Sequence, residues 1–193
     1  MDMKKVFVVL FLLACGFTLK AQYHLSYFSN DTISLMLEDA DFLFRQKKYD
    51  ESSTIYWKLS KIDSLKSMSV YKIAMNDIFA EKYDSSFYHL KLAMTYGYDS
   101  LTALNDMVFI YDNRLNKPQK AFDLLTEMIG YWPNNGELYR KRSSYHLELK
   151  RDIEAFKQDL RKAIELGDKI VEEDLRIFEE GVRAIEQSRT ENK

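Results

Sequence analysis

One cysteine, two prolines and six glycines are all that 193 residues hold of the residue types that cross-link or sharply bend a backbone. So little Pro and Gly excludes a sandwich or barrel with many tight turns and leaves room for long helices. A lone cysteine, Cys15, excludes an internal disulfide and any multi-cysteine metal site. Neither sign of charge dominates. The 28 Lys and Arg against 30 Asp and Glu leave a net −2, which makes no field that would draw in a phosphate backbone.

What is present begins with MDMKKVFVVLFLLACGFTLKAQ. Lys4 and Lys5 precede an apolar, charge-free run of 12 residues, Val6 to Phe17. A bilayer helix needs ~20 residues, so no transmembrane helix is expected here. The layout predicts a secretory signal peptide over 1–21, cut before Gln22, and hence a protein of the periplasm or cell exterior. Residues 22–32 form a lead-in. An alternative reading takes "LLAC" as a lipobox, with Cys15 lipidated and the protein anchored at the outer membrane. After cleavage at Ala21, 172 residues remain with a net −4, because the leader carries three lysines and one aspartate. That length suffices for one domain.

The body of the chain repeats itself. KKYDESSTIYWKL at Lys47 returns as EKYDSSFYHLKLA at Glu81. Tyr49 recurs as Tyr83, Ser52 as Ser86, Tyr56 as Leu90, Leu59 as Ala93 and Ala40 as Ala74, each 34 residues on. Within a unit the spacing is helical: Ile33, Met36, Leu37, Ala40, Leu43 and Phe44 form one apolar face, and Ile55, Tyr56, Leu59 and Ile62 another. In a third unit Ala121, Leu125 and Met128 fall 35 residues after their counterparts, so the turn NRLNKPQK has gained a residue. Leu160 and Ala163 fall 35 later again, with Gly167 as a helix C-cap. Ala155 and Phe156 compete for the small-residue slot there, which leaves the fourth register open by one residue.

A fixed period of this size marks a repeat architecture, and these stations resemble the tetratricopeptide repeat (TPR) family. The resemblance implies an all-α fold: a right-handed α-solenoid of about four helical hairpins (33–66, 67–100, 101–135, 136–167). Val171, Leu175, Phe178, Val182 and Ile185 make a single apolar stripe, expected as a capping helix over 168–187. Residues 188–193 are expected to fray. The family lines its concave side with the first helix of each hairpin. By that resemblance a partner-binding groove is expected at Phe44, Arg45, Tyr71, Met75, Phe79, Ile110 and Tyr145. Leu37, Asp41, Met68, Ile78, Asp106, Arg114, Lys141 and Glu148 occupy the other inward stations. Leu37 and Asp41 stand where family members that clamp chaperone tails need Lys and Asn, so that specificity is not expected.

No catalytic signature is complete. Ser69-Val70-Tyr71-Lys72 matches S-x-x-K without its companion motifs. His24, His89 and His146 lack a second ligand at i+3 or i+4 and read as lone surface or groove histidines. The glycines are scattered, so no phosphate loop forms. Carboxylates such as Glu38, Asp39 and Asp41, or Glu172, Glu173 and Asp174, suit a solvated face better than the acid pair of a small hydrolase. The basic stretch YRKRSSYHLELKR lacks the paired base-reading residues of helical RNA repeats. The expectation is therefore a non-enzymatic protein with no cofactor and no metal. It would bind a protein or peptide partner and no nucleic acid, as a monomer or weak oligomer.

Overall fold

The computed structural model describes residues 29–168, 171, 175–178 and 180–181. The 1–21 leader with Cys15, His24, much of the 168–187 cap and the 188–193 tail lie outside the described residues. All regular structure among the described residues is helical. Backbone contacts divide the chain between Tyr98 and Asp99 into two compact units.

The first unit holds α1 (Asn30–Arg45), α2 (Tyr49–Leu59), α3 (Lys66–Phe79) and α4 (Tyr83–Thr95). Helix α1 starts three residues ahead of the expected Ile33, because the Ser29 hydroxyl accepts the Thr32 N–H at 3.2 Å and satisfies one orphan donor of the first turn. The second unit holds α5 (Ser100–Phe109), a π-helical turn (Ile110–Arg114), α6 (Pro118–Tyr131), α7 (Gly136–Lys150) and α8 (Ile153–Glu165). Asp99 caps α5 through the Thr102 N–H at 2.8 Å. Pro118 opens α6 at its first position, where a missing N–H costs nothing.

The period recurs in the backbone itself. Lys47, Glu81, Asn116 and Arg151 are the non-glycine residues with positive φ among the described residues, and they lie 34, 35 and 35 apart. Each sits at the corner of a hairpin, one residue before the N-cap of the next helix: Lys48, Lys82, Lys117 and Asp152. In the first two hairpins the N-cap N–H closes on a carbonyl five residues back, Lys48 to Leu43 and Lys82 to Asp77. In the last two it closes on one six back, Lys117 to Tyr111 and Asp152 to His146. The extra residue expected in NRLNKPQK is thus absorbed at the end of the first helix, through the π turn of the third hairpin, where the Leu115 N–H reaches the Ile110 carbonyl. A one-residue insertion would rotate everything beyond it by about 100°; a widened turn takes up that residue locally.

These closures settle the fourth register. Phe156, not Ala155, stands where Ser52, Ser86 and Ala121 stand in the other hairpins, four residues after the N-cap. Those three are fully buried, as are Ala40 and Ala74 opposite them. Side chains this small let paired helices approach closely. The phenylalanine instead packs edge-on against Phe178 at 4.8 Å, and Val171 and Leu175 join Leu160 and Ala163 in one cluster. So the described part of the expected cap is helical and covers α8; Val182 and Ile185 lie outside the described residues. Gly97 and Gly167, at φ near +89° and +88°, close α4 and α8, a conformation glycine adopts without a Cβ penalty.

Each unit has its own core. In the first, Ala40, Tyr56, Leu59 and Ile73 are buried together, flanked by Met36, Leu37 and Ile55. In the second, Val108, Ala121, Phe122, Leu125, Met128 and Leu138 are buried in one cluster. Consecutive helices within each unit pack against one another, so a single buried helix face serves both its own hairpin and the next.

Candidate functional site

Between α1 and α3 of the first unit lies a cleft of about 330 Å³. Phe44, Tyr71, Met75 and Phe79, four of the expected groove residues, line it together with Asp41, Tyr56, Lys72 and Asn76. The helical pattern explains the grouping: Tyr71, Met75 and Phe79 are four apart and share one face of α3.

Its aromatic walls are held from behind. Phe44 meets Phe79 edge-on at 5.1 Å and Tyr49 at 5.6 Å, while Tyr49 stacks on Phe79. At the other end Tyr71 stacks on Tyr98, with centroids 4.0 Å apart and planes 13° from parallel. Phe79 is nonetheless 45% exposed, a large apolar surface turned to water.

The base of the cleft is polar. The Tyr56 hydroxyl donates to Asp41 Oδ1 at 2.6 Å, and Lys72 Nζ approaches the same oxygen at 3.5 Å. Asn76 is 1% exposed. Its Nδ2 donates to Ser52 Oγ at 3.1 Å and Ser53 Oγ at 2.9 Å. Because Ser52 spends its own proton on the Ala40 carbonyl at 2.9 Å, it can only accept from the amide, which fixes the amide's orientation. Asn76 Oδ1 is then buried and has no hydrogen-bond partner among the described residues.

Burial, followed by the hydrogen bond and charge of Asp41, pushes the Tyr56 phenol well above its ordinary range. The fold therefore favours the neutral phenol. That contribution is fully present below about pH 10, the ordinary phenol value, and is lost as pH rises towards the raised one. Tyr56→Phe should accordingly lie closer to wild type in urea midpoint at pH 11 than at pH 8. A gap that stays constant across that range would refute the assignment.

The other expected groove residues are elsewhere. Arg45 is exposed on the last turn of α1 and is not part of the cleft wall. Ile110 is fully buried and is corrected from groove to core. It shares its repeat station with Asn76 and Tyr145, and all three are packed, at 0%, 1% and 6% exposure. Tyr145 borders a cleft of the second unit lined also by Asn105, Asp112, Arg140, Lys141 and Ser144, which corresponds by register to the aromatic one. There too a tyrosine hydroxyl bonds an aspartate, Tyr145 to Asp112, and burial raises its phenol. Its walls are mixed: Val108, Phe109 and Leu125 line it as well, while Arg140 binds Asp168 at 2.8 Å and Lys141 binds Asn105 at 2.9 Å.

The two described histidines are not lone surface groups. His89 Nδ1 lies 2.7 Å from Asp77 Oδ2, and His146 Nε2 lies 3.2 Å from Asp159 Oδ2; all four side chains are nearly buried. The pairs occupy one and the same pair of stations with acid and base exchanged. In the first and third hairpins those stations hold Leu43 with Ile55 and Tyr111 with Leu124. Each pair joins two helices of one hairpin, a geometry that i+3 and i+4 spacing on a single helix cannot reveal. Ser69 of the S-x-x-K match is fully buried, so no substrate reaches its hydroxyl. Among the described residues no three His, Cys, Asp or Glu side chains group as metal ligands, and no helix is long and apolar enough to cross a membrane. Tyr56, Lys72 and Asn76 went unanticipated; the available signal was a polar residue, Asn76, on the inward face of an apolar helix. No protein-family model matches the chain, and no curated protein matches it.

Proposed function

We propose that the protein is a non-catalytic, TPR-like interaction module that holds a partner polypeptide against the first helices of its hairpins. The reading rests chiefly on the cleft between α1 and α3, with Phe44, Tyr71, Met75 and Phe79 presented on braced walls and Phe79 left open to water. Exposed aromatic and methionine side chains in a concave setting are the usual anchors for an apolar helix or extended peptide. The period of 34 to 35 residues in both sequence and corner geometry supports a stack of hairpins wound as a right-handed solenoid. The double substitution Tyr71→Asp and Phe79→Asp should abolish co-purification of the native partner while circular dichroism keeps its helical signal. Undiminished capture by that variant would refute the cleft as the docking site.

The apolar run at Val6 to Phe17 supports export to the periplasm or cell exterior. Mass spectrometry of the mature N-terminus decides its form: a chain starting at Gln22 fits the soluble module. An acylated Cys15 fits the alternative that "LLAC" favours, an outer-membrane lipoprotein that assists assembly.

A further inference from the structure

The chemistry of the aromatic cleft is one-sided in a way that selects its occupant. Apart from the Lys72 ammonium, which contacts Asp41 at 3.5 Å, and the Tyr71 hydroxyl, the polar atoms on its lining that remain to be met are acceptors. Both bonds to Asp41 fall on Oδ1, which leaves Oδ2 for an incoming donor, and Asn76 Oδ1 is buried with no partner among the described residues. A buried acceptor without a donor costs free energy until something supplies one. The walls add flat ring faces, with Tyr71 locked in place by its stack on Tyr98.

A group that carries donors only, is planar, and pairs with a carboxylate is a guanidinium. We infer that this cleft receives an arginine side chain of the partner, with the guanidinium between Asp41 and Asn76 and its plane against the rings. This rests on the docking reading and narrows it to one kind of residue. A carboxylate or phosphate group would find a cation in Lys72 but would also meet Asp41, and it would leave Asn76 Oδ1 without a donor. An aliphatic side chain would fill the space but leave Asn76 Oδ1 unmet. Lys72 is the built-in competitor. Its ammonium is 3.5 Å from Asp41 and the pair is more than 40% exposed on both sides, so the contact is weak and the lysine can swing into water when a guanidinium arrives.

The competitor gives the inference a test that a merely apolar cleft would fail. The full chain, carrying labelled methionine methyls, is titrated with N-acetyl-arginine amide and with its citrulline and leucine counterparts. The Met75 methyl serves as reporter, identified through Met75→Leu. The arginine probe should shift that signal saturably and bind about tenfold or more tighter than citrulline, which keeps the shape but not the charge. Asp41→Asn, which still accepts from Tyr56, should lose that preference. Lys72→Met should tighten the arginine probe by about threefold or more, since it removes a like charge.

Equal binding of arginine and citrulline, or no tightening in Lys72→Met, overturns the arginine assignment. If the leucine probe still moves the Met75 signal, the cleft as a docking site stands. If no probe moves it, the arginine assignment falls, and docking is judged separately by the Tyr71 and Phe79 capture experiment.

Discussion

Asp159→Ala is expected to destabilise the second unit by about 3–5 kcal/mol, measured as a lowered urea midpoint. Asp159 on α8 accepts two hydrogen bonds from Arg142 on α7, Nε to Oδ2 at 2.8 Å and Nη2 to Oδ1 at 2.7 Å. His146 lies 3.2 Å from the same carboxylate. The acid is 8% exposed and the arginine 18%, so truncation strands a mostly buried guanidinium rather than merely deleting a surface contact. Asp159 also holds the Arg142 guanidinium more firmly protonated than usual. A loss below about 1 kcal/mol, typical of exposed pairs, would refute the buried arrangement.

The equivalent pair in the second hairpin supplies the contrast. Asp77→Leu alone should be costly, because it leaves His89 buried opposite a hydrocarbon. Adding His89→Ile recreates the Leu43 and Ile55 pair that the first hairpin carries at the same stations. The double variant should recover to near wild type or better, since a buried polar pair often breaks even against a packed apolar one.

Ser52→Leu should cost the first unit roughly 3–5 kcal/mol, as overpacking and two broken hydrogen bonds act together. Ser52 is fully buried between α1 and α2, opposite Ala40. Its hydroxyl donates to the Ala40 carbonyl and accepts from Asn76 of the next hairpin. A leucine both forces the helices apart and leaves the Asn76 amide short of an acceptor. Ser86 provides the control. Its Oγ donates within its own helix, to the Tyr83 carbonyl at 2.7 Å, so Ser86→Ala should cost no more than about 1 kcal/mol. Similar urea midpoints for Ser52→Leu and Ser86→Ala would show that the contact is not tight.

What could be read from the chain beforehand was whatever repeats. Tyr49 and Tyr83 open α2 and α4, and Ala40 and Ala74 lie at 0% exposure, because a station used twice declares itself by spacing alone. The grouping of Tyr71, Met75 and Phe79 was legible for a simpler reason, their shared helix face. The rest depended on contacts between helices. Ile110 looked like a groove residue because an apolar side chain on an inward helix can face either water or a neighbour, and period cannot say which. The Asp–His pairs hid behind a separation of 12 and 13 residues across a turn. Asn76 showed only as a polar residue on an apolar helix face, because its significance lies in the Ser52 hydroxyl being already committed elsewhere.

The four corners carry a last consequence. Lys47, Glu81, Asn116 and Arg151 are all held at φ between +49° and +61°, a region that costs an L-residue roughly 1–2 kcal/mol. One excised hairpin would carry that strain without the burial that its neighbour provides. Only when a neighbour clamps the two arms does the bend hold. The smallest piece that keeps native form is therefore a stacked pair of hairpins.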